Sequence, residues 1–167
     1  GVLEGCLELA RSSLSVAFIL RPFQAAVTRI SASDNHLAKS RWLPKLARGE
    51  LFATVGISHL TTSRQHVGRP AVEAITVESG FELTGEAPWV TGAEIADVIV
   101  VGAVDPDRRQ FLFAVPAQAA GVTVGAPFSL LALSESCTGP VRLNQVRLAA
   151  EDVLAGPADQ VLKASTG

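Results

Sequence analysis

The apolar residues of this chain change their spacing once, near residue 50, and this change constrains the fold more than any other feature. Before it, they recur at three- and four-residue intervals, as in a buried amphipathic helix. The first expected helix covers Val2–Leu20, and Pro22 ends or interrupts it. A second is expected over roughly Phe23–Ile30, and a third through His36, Leu37 and Trp42. Ser33 or Asp34 is the expected cap of the third helix, and Gly49 its expected stop.

After Gly49 the pattern becomes that of short strands rich in Val, Leu, Phe and Thr, separated by Gly, Pro, Asp or Ser. The expected strands are Leu51–Leu60, Ala71–Glu78, Phe81–Thr84, Asp97–Val104, Gln110–Pro116, Gly121–Val124, Phe128–Leu133 and Pro140–Leu148. Ser79-Gly80 and Asp105-Pro106-Asp107 predict hairpin turns. We therefore expect an α+β chain, in which an N-terminal helical segment precedes an antiparallel β-barrel or sandwich.

One strand end is unusual. In Gly85–Asp97, which is read as GEAPWVTGAEIAD, a Trp lies between Pro88 and a Thr-Gly pair. Pro and Gly mark the end of regular strand pairing, so Trp89 is expected at the surface, facing a ligand or another domain. In an extended segment Thr91 lies on the same side as Trp89. This corner suits a flat ring with polar edges.

Composition excludes several classes of function. The 167 residues are 48% hydrophobic and 18% charged, with a net charge of -2, so neither disorder nor binding to nucleic acid or an anionic membrane is expected. Cys6 and Cys137 show no pairing or metal spacing and are expected to be reduced in a cytoplasmic protein. The apolar segment Leu14–Leu20 is too short to span a membrane. Because Gly1 is not a Met, the chain is expected to be a fragment or a processed piece.

Other residues have plainer interpretations. His59 and His66 lack a third ligand and a fixed helical spacing, so we expect polar loop residues and no metal site. Arg64 and Arg69 are able to bind phosphate, although a solvated loop Arg is the simpler state. Ser136-Cys137-Thr138 lacks the Gly-flanked turn of a hydrolase nucleophile and is interpreted as the start of a strand.

Several motifs in order resemble acyl-CoA dehydrogenases over nearly the whole chain. They are WLPKLARGE, the pair Leu60-Thr61, FELTG, Trp89-Val90-Thr91 within WVTGAEIAD, FLFAVP, AGVTV and SCTGPVRLNQVRLAAEDVLAG. The resemblance implies the end of the family's N-terminal helical domain in residues 1–49 and its middle β domain in residues 50–157. Residues 158–167 would then begin the linker to a C-terminal helical domain.

The resemblance also implies FAD, with its isoalloxazine ring against the middle domain, and an acyl-CoA or similar thioester as the substrate. The cofactor-binding residues that it implies are Leu60, Thr61, Trp89, Val90 and Thr91. Trp89 would pack near the flavin and Thr91 would reach the N5 edge, while Thr61 and the backbone around Leu60 would meet the polar rim. In such enzymes a hydride leaves the β-carbon for N5, and a carboxylate base removes the α-proton.

The chain departs from the family's pattern at several positions. Where the family has Glu-Pro and then Gly-Ser-Asp, this chain has Thr62–Gly68, with Val67 in place of the usual Ser. Ala87 replaces a usual Lys. The family's catalytic carboxylate belongs to a C-terminal helical bundle beyond Gly167, so no residue of this chain is nominated as the base.

Three readings therefore stay open. The chain represents an FAD-dependent acyl-CoA dehydrogenase, or a flavin oxidase or monooxygenase on the same fold, acting as a homo-oligomer or with related subunits. Alternatively, it is a non-catalytic subunit that keeps the middle domain for assembly. The third reading, a β-barrel module that binds an apolar ligand, leaves the ordered motifs unexplained.

Overall fold

The computed structural model describes residues 2–61 and 70–164. The helices are α1 (Val2–Ser12), α2 (Leu14–Ala32), α3 (His36–Ala47) and the short α4 (Val161–Ala164). The strands are β1 (Ala53–Gly56), β2 (Val72–Val77), β3 (Gly80–Val90), β4 (Val98–Val104), β5 (Gln110–Pro116), β6 (Val122–Val124), β7 (Gly139–Leu148) and β8 (Val153–Ala158). The predicted order of helices followed by strands is confirmed.

The first two helices divide at a different place from the one expected. Ser13 leaves the helical conformation and caps α2, where its hydroxyl accepts a hydrogen bond from the Val16 amide at 3.3 Å. The prediction that Pro22 ends or interrupts the helix is wrong, because Pro22 lies inside α2. Ala26 and Ile30, one and two turns further on, are fully buried. Their packing maintains the helix across the hydrogen bond that a proline cannot make.

The cap of α3 is Asn35, not Ser33 or Asp34. Its side-chain oxygen accepts from the amides of Leu37 and Ala38, at 3.1 and 3.2 Å. Ser33 instead donates its hydroxyl to the carbonyl of Leu154 at 2.6 Å. The Asn35 amide group donates to the carbonyls of Glu151 and Val153, at 2.8 and 2.9 Å. The connection between α2 and α3 therefore ties the helical segment to the edge of the sheet.

The strands form one mostly antiparallel sheet in the order β6-β7-β3-β2-β4-β5-β8, and β1 pairs with β4. The pairs β1 with β4 and β2 with β4 are parallel. The antiparallel prediction is confirmed, but the sheet does not close into a barrel. Its edge strands β6 and β8 lie at opposite ends of the order and do not pair with each other. Closure requires that pairing.

The strand predictions were wrong mainly in four places: one predicted strand does not form, one observed strand was not predicted, the first predicted strand shortens, and Phe81–Thr84 lengthens to Gly80–Val90. Residues 128–133 form no strand, because no neighbouring strand pairs with them, and Leu133 at their end takes a left-handed conformation with φ 63°. The structure adds β8, which pairs with β5 although it contains Gly156-Pro157. The first predicted strand shortens to β1, because residues 58–60 form a 3₁₀ turn. The two predicted hairpins, β2–β3 and β4–β5, are confirmed.

Strand β4 separates two hydrophobic clusters. Val98 and Val100 belong to the cluster under the helices, whereas Ile99 and Val101 belong to the cluster between the two halves of the sheet. All four are fully buried. A strand that is buried on both faces explains the unbroken apolar run of β4. It also holds β1, its parallel neighbour, in the middle of the fold.

Candidate functional site

The end of β3 presents an aromatic side chain to the surface. Trp89 is 53% exposed, whereas the next residue, Val90, is fully buried. The ring of Trp89 packs against Phe128 with 4.7 Å between the centroids and 52° between the planes. Gly92, with φ 67°, then turns the chain away from the strand. As expected from Pro88 and Gly92, Trp89 is not an ordinary core residue.

Strand β1 ends directly beside this corner. The hydroxyl of Thr54 donates to the carbonyl of Thr91 at 2.6 Å. A Cβ on Gly56 would lie 3.0 Å from the Cβ of Ala87 and 3.2 Å from Cγ2 of Val90. Only glycine therefore permits this close approach without a shift of β3. The buried position of Ala87 also leaves little room for the Lys that the resemblance would place there.

The 3₁₀ turn Ser58–Leu60 follows β1 and neighbours β3. The turn that carries Leu60 therefore contacts the strand that carries Trp89 and Val90. The side chain of Leu60 is 3% exposed and packs over Gly102, where a Cβ would come within 2.4 Å of it. Thr61 is exposed and donates its hydroxyl to the carbonyl of Ser58 at 3.0 Å.

These positions limit how each predicted residue can meet a ligand. Trp89 offers its ring, and Thr61 and Thr91 offer hydroxyl groups. The side chains of Leu60 and Val90 belong to the core, so only their backbone groups remain for a ligand. The predicted loop Thr62–Gly68, with Arg64, His66 and Val67, and the neighbouring Arg69 lie outside the described residues.

His59 has a structural role. Its Nε2 lies 2.8 Å from the carbonyl of Gly102, so the tautomer with a proton on Nε2 donates to that carbonyl. Burial lowers the pKa of His59, and the bond to Gly102 opposes this effect. The neutral ring is therefore favoured. Within the described residues, Nδ1 has no partner, and no group of His, Cys, Asp or Glu is arranged to hold a metal ion.

The structure adds two hydroxyl residues that the sequence did not reveal. Thr91 Oγ1 lies 2.9 Å from Thr138 Oγ1, which in turn lies 2.8 Å from Ser136 Oγ. The amide of Gly92 donates to the carbonyl of Ser136 at 2.9 Å, which fixes the two segments together. Ser136 and Thr138 are buried, while Thr91 is partly exposed. Their i, i+2 spacing was visible in the sequence, but the 45 or more residues that separate them from Thr91 concealed the contact.

Comparison with known proteins gives one consistent family. No protein-family model matches the chain. A probable acyl-CoA dehydrogenase of Bacillus subtilis is 32% identical over 119 residues, which are 70% of this chain and 20% of that protein. The curated relatives that it matches are much longer, and the chain spans between 19% and 32% of their length.

The solved structures agree. Glutaryl-CoA dehydrogenase from Mycobacterium smegmatis superposes with a TM-score of 0.80 and 28% identity, over 96% of this chain and 41% of that one. A glutaryl-CoA dehydrogenase from the same species in complex with FADH2 gives a TM-score of 0.75 and 27% identity, over 96% and 41% of the two chains. The dibenzothiophene monooxygenase TdsC from Paenibacillus sp. A11-2 shares the fold at 22% identity, with a TM-score of 0.79 over 96% and 40%.

Proposed function

Because the chain belongs to the acyl-CoA dehydrogenase family, we propose that it supplies the flavin-facing part of an FAD-dependent oxidoreductase. The proposed reaction is α,β-dehydrogenation of an acyl thioester. Residues 1–49 are proposed to end the N-terminal helical domain, residues 50–157 to form the middle β domain, and residues 158–167 to begin the linker to a C-terminal helical domain.

The observation that carries this proposal is the exposed ring of Trp89, two residues before the partly exposed Thr91. Aromatic faces and hydroxyl donors are the groups that hold and orient a ring system with polar edges. The residues present therefore fit a flavin. Bound FAD supplies the hydride acceptor of the reaction.

Each residue of the chain has a separate task. Trp89 is proposed to cover one part of the ring system and exclude water there. Thr91 is proposed to donate its hydroxyl proton to the N5 edge. Thr61 and the backbone of Leu60 and Val90 are proposed to meet polar groups at the rim. The other face of the ring is left to the thioester substrate.

The base that removes the α-proton is proposed to lie in the C-terminal helical domain. Two acids are buried in the described part of the chain, Asp105 and Asp152. Asp105 is engaged by Arg109 at 2.8 Å, and Asp152 by Arg41 at 3.1 Å. Both carboxylates lie on elements away from the end of β3, at the β4–β5 hairpin and before β8. They therefore serve structural pairs.

A flavin monooxygenase is the second proposed function. The observation that favours it is the fold shared with TdsC, one structure of which contains FMN and indole and has a TM-score of 0.81. The way in which the flavin is reduced distinguishes the two functions. A dehydrogenase reduces its flavin with an acyl-CoA in the absence of oxygen, whereas a monooxygenase requires an external reductant and oxygen.

Partners and location remain proposals. No helix in the described residues is long and apolar enough to cross a membrane. The chain is 48% hydrophobic and 18% charged, an apolar balance that favours burial of surface against further chain or another subunit. We propose a homo-oligomer or an assembly with related subunits. The cytoplasmic location stays a prediction.

Flavin binding tests the proposal. The protein is expressed from its complete gene, incubated with FAD, and examined by visible absorbance after gel filtration. Stoichiometric FAD is expected, and Trp89→Ala should weaken its affinity about 2- to 12-fold, since aromatic packing contributes about 0.5–1.5 kcal/mol. Ile75→Ala, at an exposed residue of β2, is the matched control and should keep the wild-type affinity. A colourless wild-type protein at saturating FAD would refute the flavoenzyme.

A further inference from the structure

We propose that Thr138 is a positioning residue that directs the hydroxyl proton of Thr91 outward, toward the flavin edge. This inference rests on the proposed function, because it assigns a donor to the proposed cofactor. It concerns the three hydroxyl groups Ser136, Thr138 and Thr91, which follow one another at 2.8 and 2.9 Å. We call them the hydroxyl chain.

The direction of the hydroxyl chain follows from counting protons. Each hydroxyl has one proton to donate and two lone pairs to accept with. Ser136 is fully buried and Thr138 is 5% exposed. A buried hydroxyl proton without an acceptor is costly. The favoured arrangement is therefore one in which both buried protons are used.

Among the contacts of the described residues, one arrangement meets this condition. Ser136 donates to Thr138, and Thr138 donates to Thr91. The Thr91 proton is then free, and Thr91 is the partly exposed end of the chain. If Thr91 donated inward, either Thr138 or Ser136 would keep a buried proton with no acceptor in the hydroxyl chain. The structure thus assigns Thr91 the role of a donor to whatever lies outside.

The backbone holds the hydroxyl chain in place. Cys137, between the two buried hydroxyls, has φ 48°, a conformation that L-residues rarely adopt and that persists only where surrounding contacts impose it. Those contacts include the Gly92 amide on the Ser136 carbonyl and the Phe128 amide on the Thr138 carbonyl, both at 2.9 Å. At the other end, Thr54 holds the carbonyl of Thr91 at 2.6 Å. Thr91 is therefore held through its hydroxyl on one side and through its backbone carbonyl on the other.

The two buried residues are expected to differ in importance. Without Ser136, the Thr138 proton still has Thr91 as its acceptor in the hydroxyl chain, so the direction persists. Without the Thr138 hydroxyl, Thr91 has no partner in the hydroxyl chain, and no bond of that chain directs its proton. Thr138 therefore positions Thr91, and Ser136 supports it.

The test compares Thr138→Val, Thr138→Ser, Ser136→Ala and Thr91→Val in the protein expressed from the complete gene and loaded with FAD. Thr138→Val should weaken FAD binding about threefold and shift the visible flavin bands in the same direction as Thr91→Val. Thr138→Ser keeps a hydroxyl group and should retain the wild-type FAD affinity and the wild-type flavin bands. Ser136→Ala should change both less than Thr138→Val does. Thr76→Val, at an exposed strand residue, is the matched control and should resemble the wild type.

A double variant separates positioning from a structural effect. If Thr138 acts through Thr91, then Thr91→Val/Thr138→Val should bind FAD no more weakly than Thr91→Val alone. Additive losses, or unshifted flavin bands in Thr138→Val, would overturn the inference while leaving the flavoenzyme intact. If Thr138→Val does not fold, the other two variants decide. The inference is supported if Thr138→Ser has wild-type flavin bands and Ser136→Ala has a small effect. It is overturned if Thr138→Ser shifts the bands more than Ser136→Ala does. A wild-type protein that binds no FAD refutes the proposed function itself.

Discussion

Gly102 on β4 is predicted to control the position of the turn that carries Leu60 and Thr61. A Cβ at residue 102 would lie 2.4 Å from Cδ1 and 2.8 Å from Cγ of Leu60. Leu60 is 3% exposed and surrounded by the cluster under the helices, so it has little space into which to move. Gly102→Ala should therefore destabilise the protein by about 1–3 kcal/mol, the usual cost of overpacking a core.

The clash can be separated from other effects of the substitution. Leu60→Ala alone should cost about 2–5 kcal/mol through the cavity that it leaves. In the double variant the new methyl group enters that cavity, so the combined loss should be smaller than the sum by about 1–2 kcal/mol. Gly5→Ala is the control, since no atom lies within 4 Å of a Cβ there. It should be neutral or slightly stabilising, because alanine favours the helix.

The assay is equilibrium urea unfolding, followed by the fluorescence of Trp42 and Trp89 and by circular dichroism. The quantities compared are the midpoint and the free energy of unfolding for the four proteins of the cycle. The reasoning is refuted if Gly102→Ala is as stable as the wild type. It is equally refuted if the losses of the two single variants add, because the two residues would then not be in contact.

Further predictions concern the Asn35 helix cap, a buried histidine and a tight strand pair. Asn35→Ala should cost about 2–3 kcal/mol of unfolding free energy, because it removes a helix cap and two bonds to carbonyls; Asn35→Asp keeps the cap acceptor and should lose less in urea unfolding. Burial lowers the pKa of His59, so the unfolded state binds the proton more readily than the folded state does. The free energy of unfolding should therefore fall as the pH drops below about 6.5. In His59→Gln this part of the pH dependence should be absent. Gly85 has φ 140°, and a Cβ there would lie 2.1 Å from the Ala71 carbonyl oxygen, so Gly85→Ala should lower the melting temperature more than Gly5→Ala, which is expected to leave it nearly unchanged.

Local signals predicted most of the elements. The apolar period identified the helical and strand regions, and Ser79-Gly80 identified a hairpin because turn chemistry acts within a few residues. The predictions that failed depend on pairing between residues far apart in the sequence. β8 contains Gly156-Pro157 and is a strand because β5 pairs with it. Residues 128–133 have strand composition, but no neighbouring strand pairs with them.

In the candidate site, too, the short-range signal was recognised and the long-range contact was missed. Trp89 was identified because Pro88 and Gly92 lie close to it in sequence. Thr138 was missed, since it acts on Thr91 across a gap of 47 residues and was interpreted as the start of a strand. A barrel was expected as one of two possibilities, beside a sandwich, for a similar reason. The period of a strand indicates which face is buried, but not whether the two edge strands meet.

The wall of the candidate site is continuous with the hydrophobic core. Gly56 lets β1 approach Ala87 and Val90, and Gly102 makes room for Leu60, so both parts of the site are positioned by side chains that face inward. A close-packed core transmits small changes in volume, because it contains few voids that could absorb them. We therefore expect Gly102→Ala to weaken FAD binding as well as stability, although residue 102 is buried beneath the site. Titration of FAD into the folded variant at low urea measures this coupling, and an unchanged affinity in a destabilised variant would show that the turn moves independently of the core.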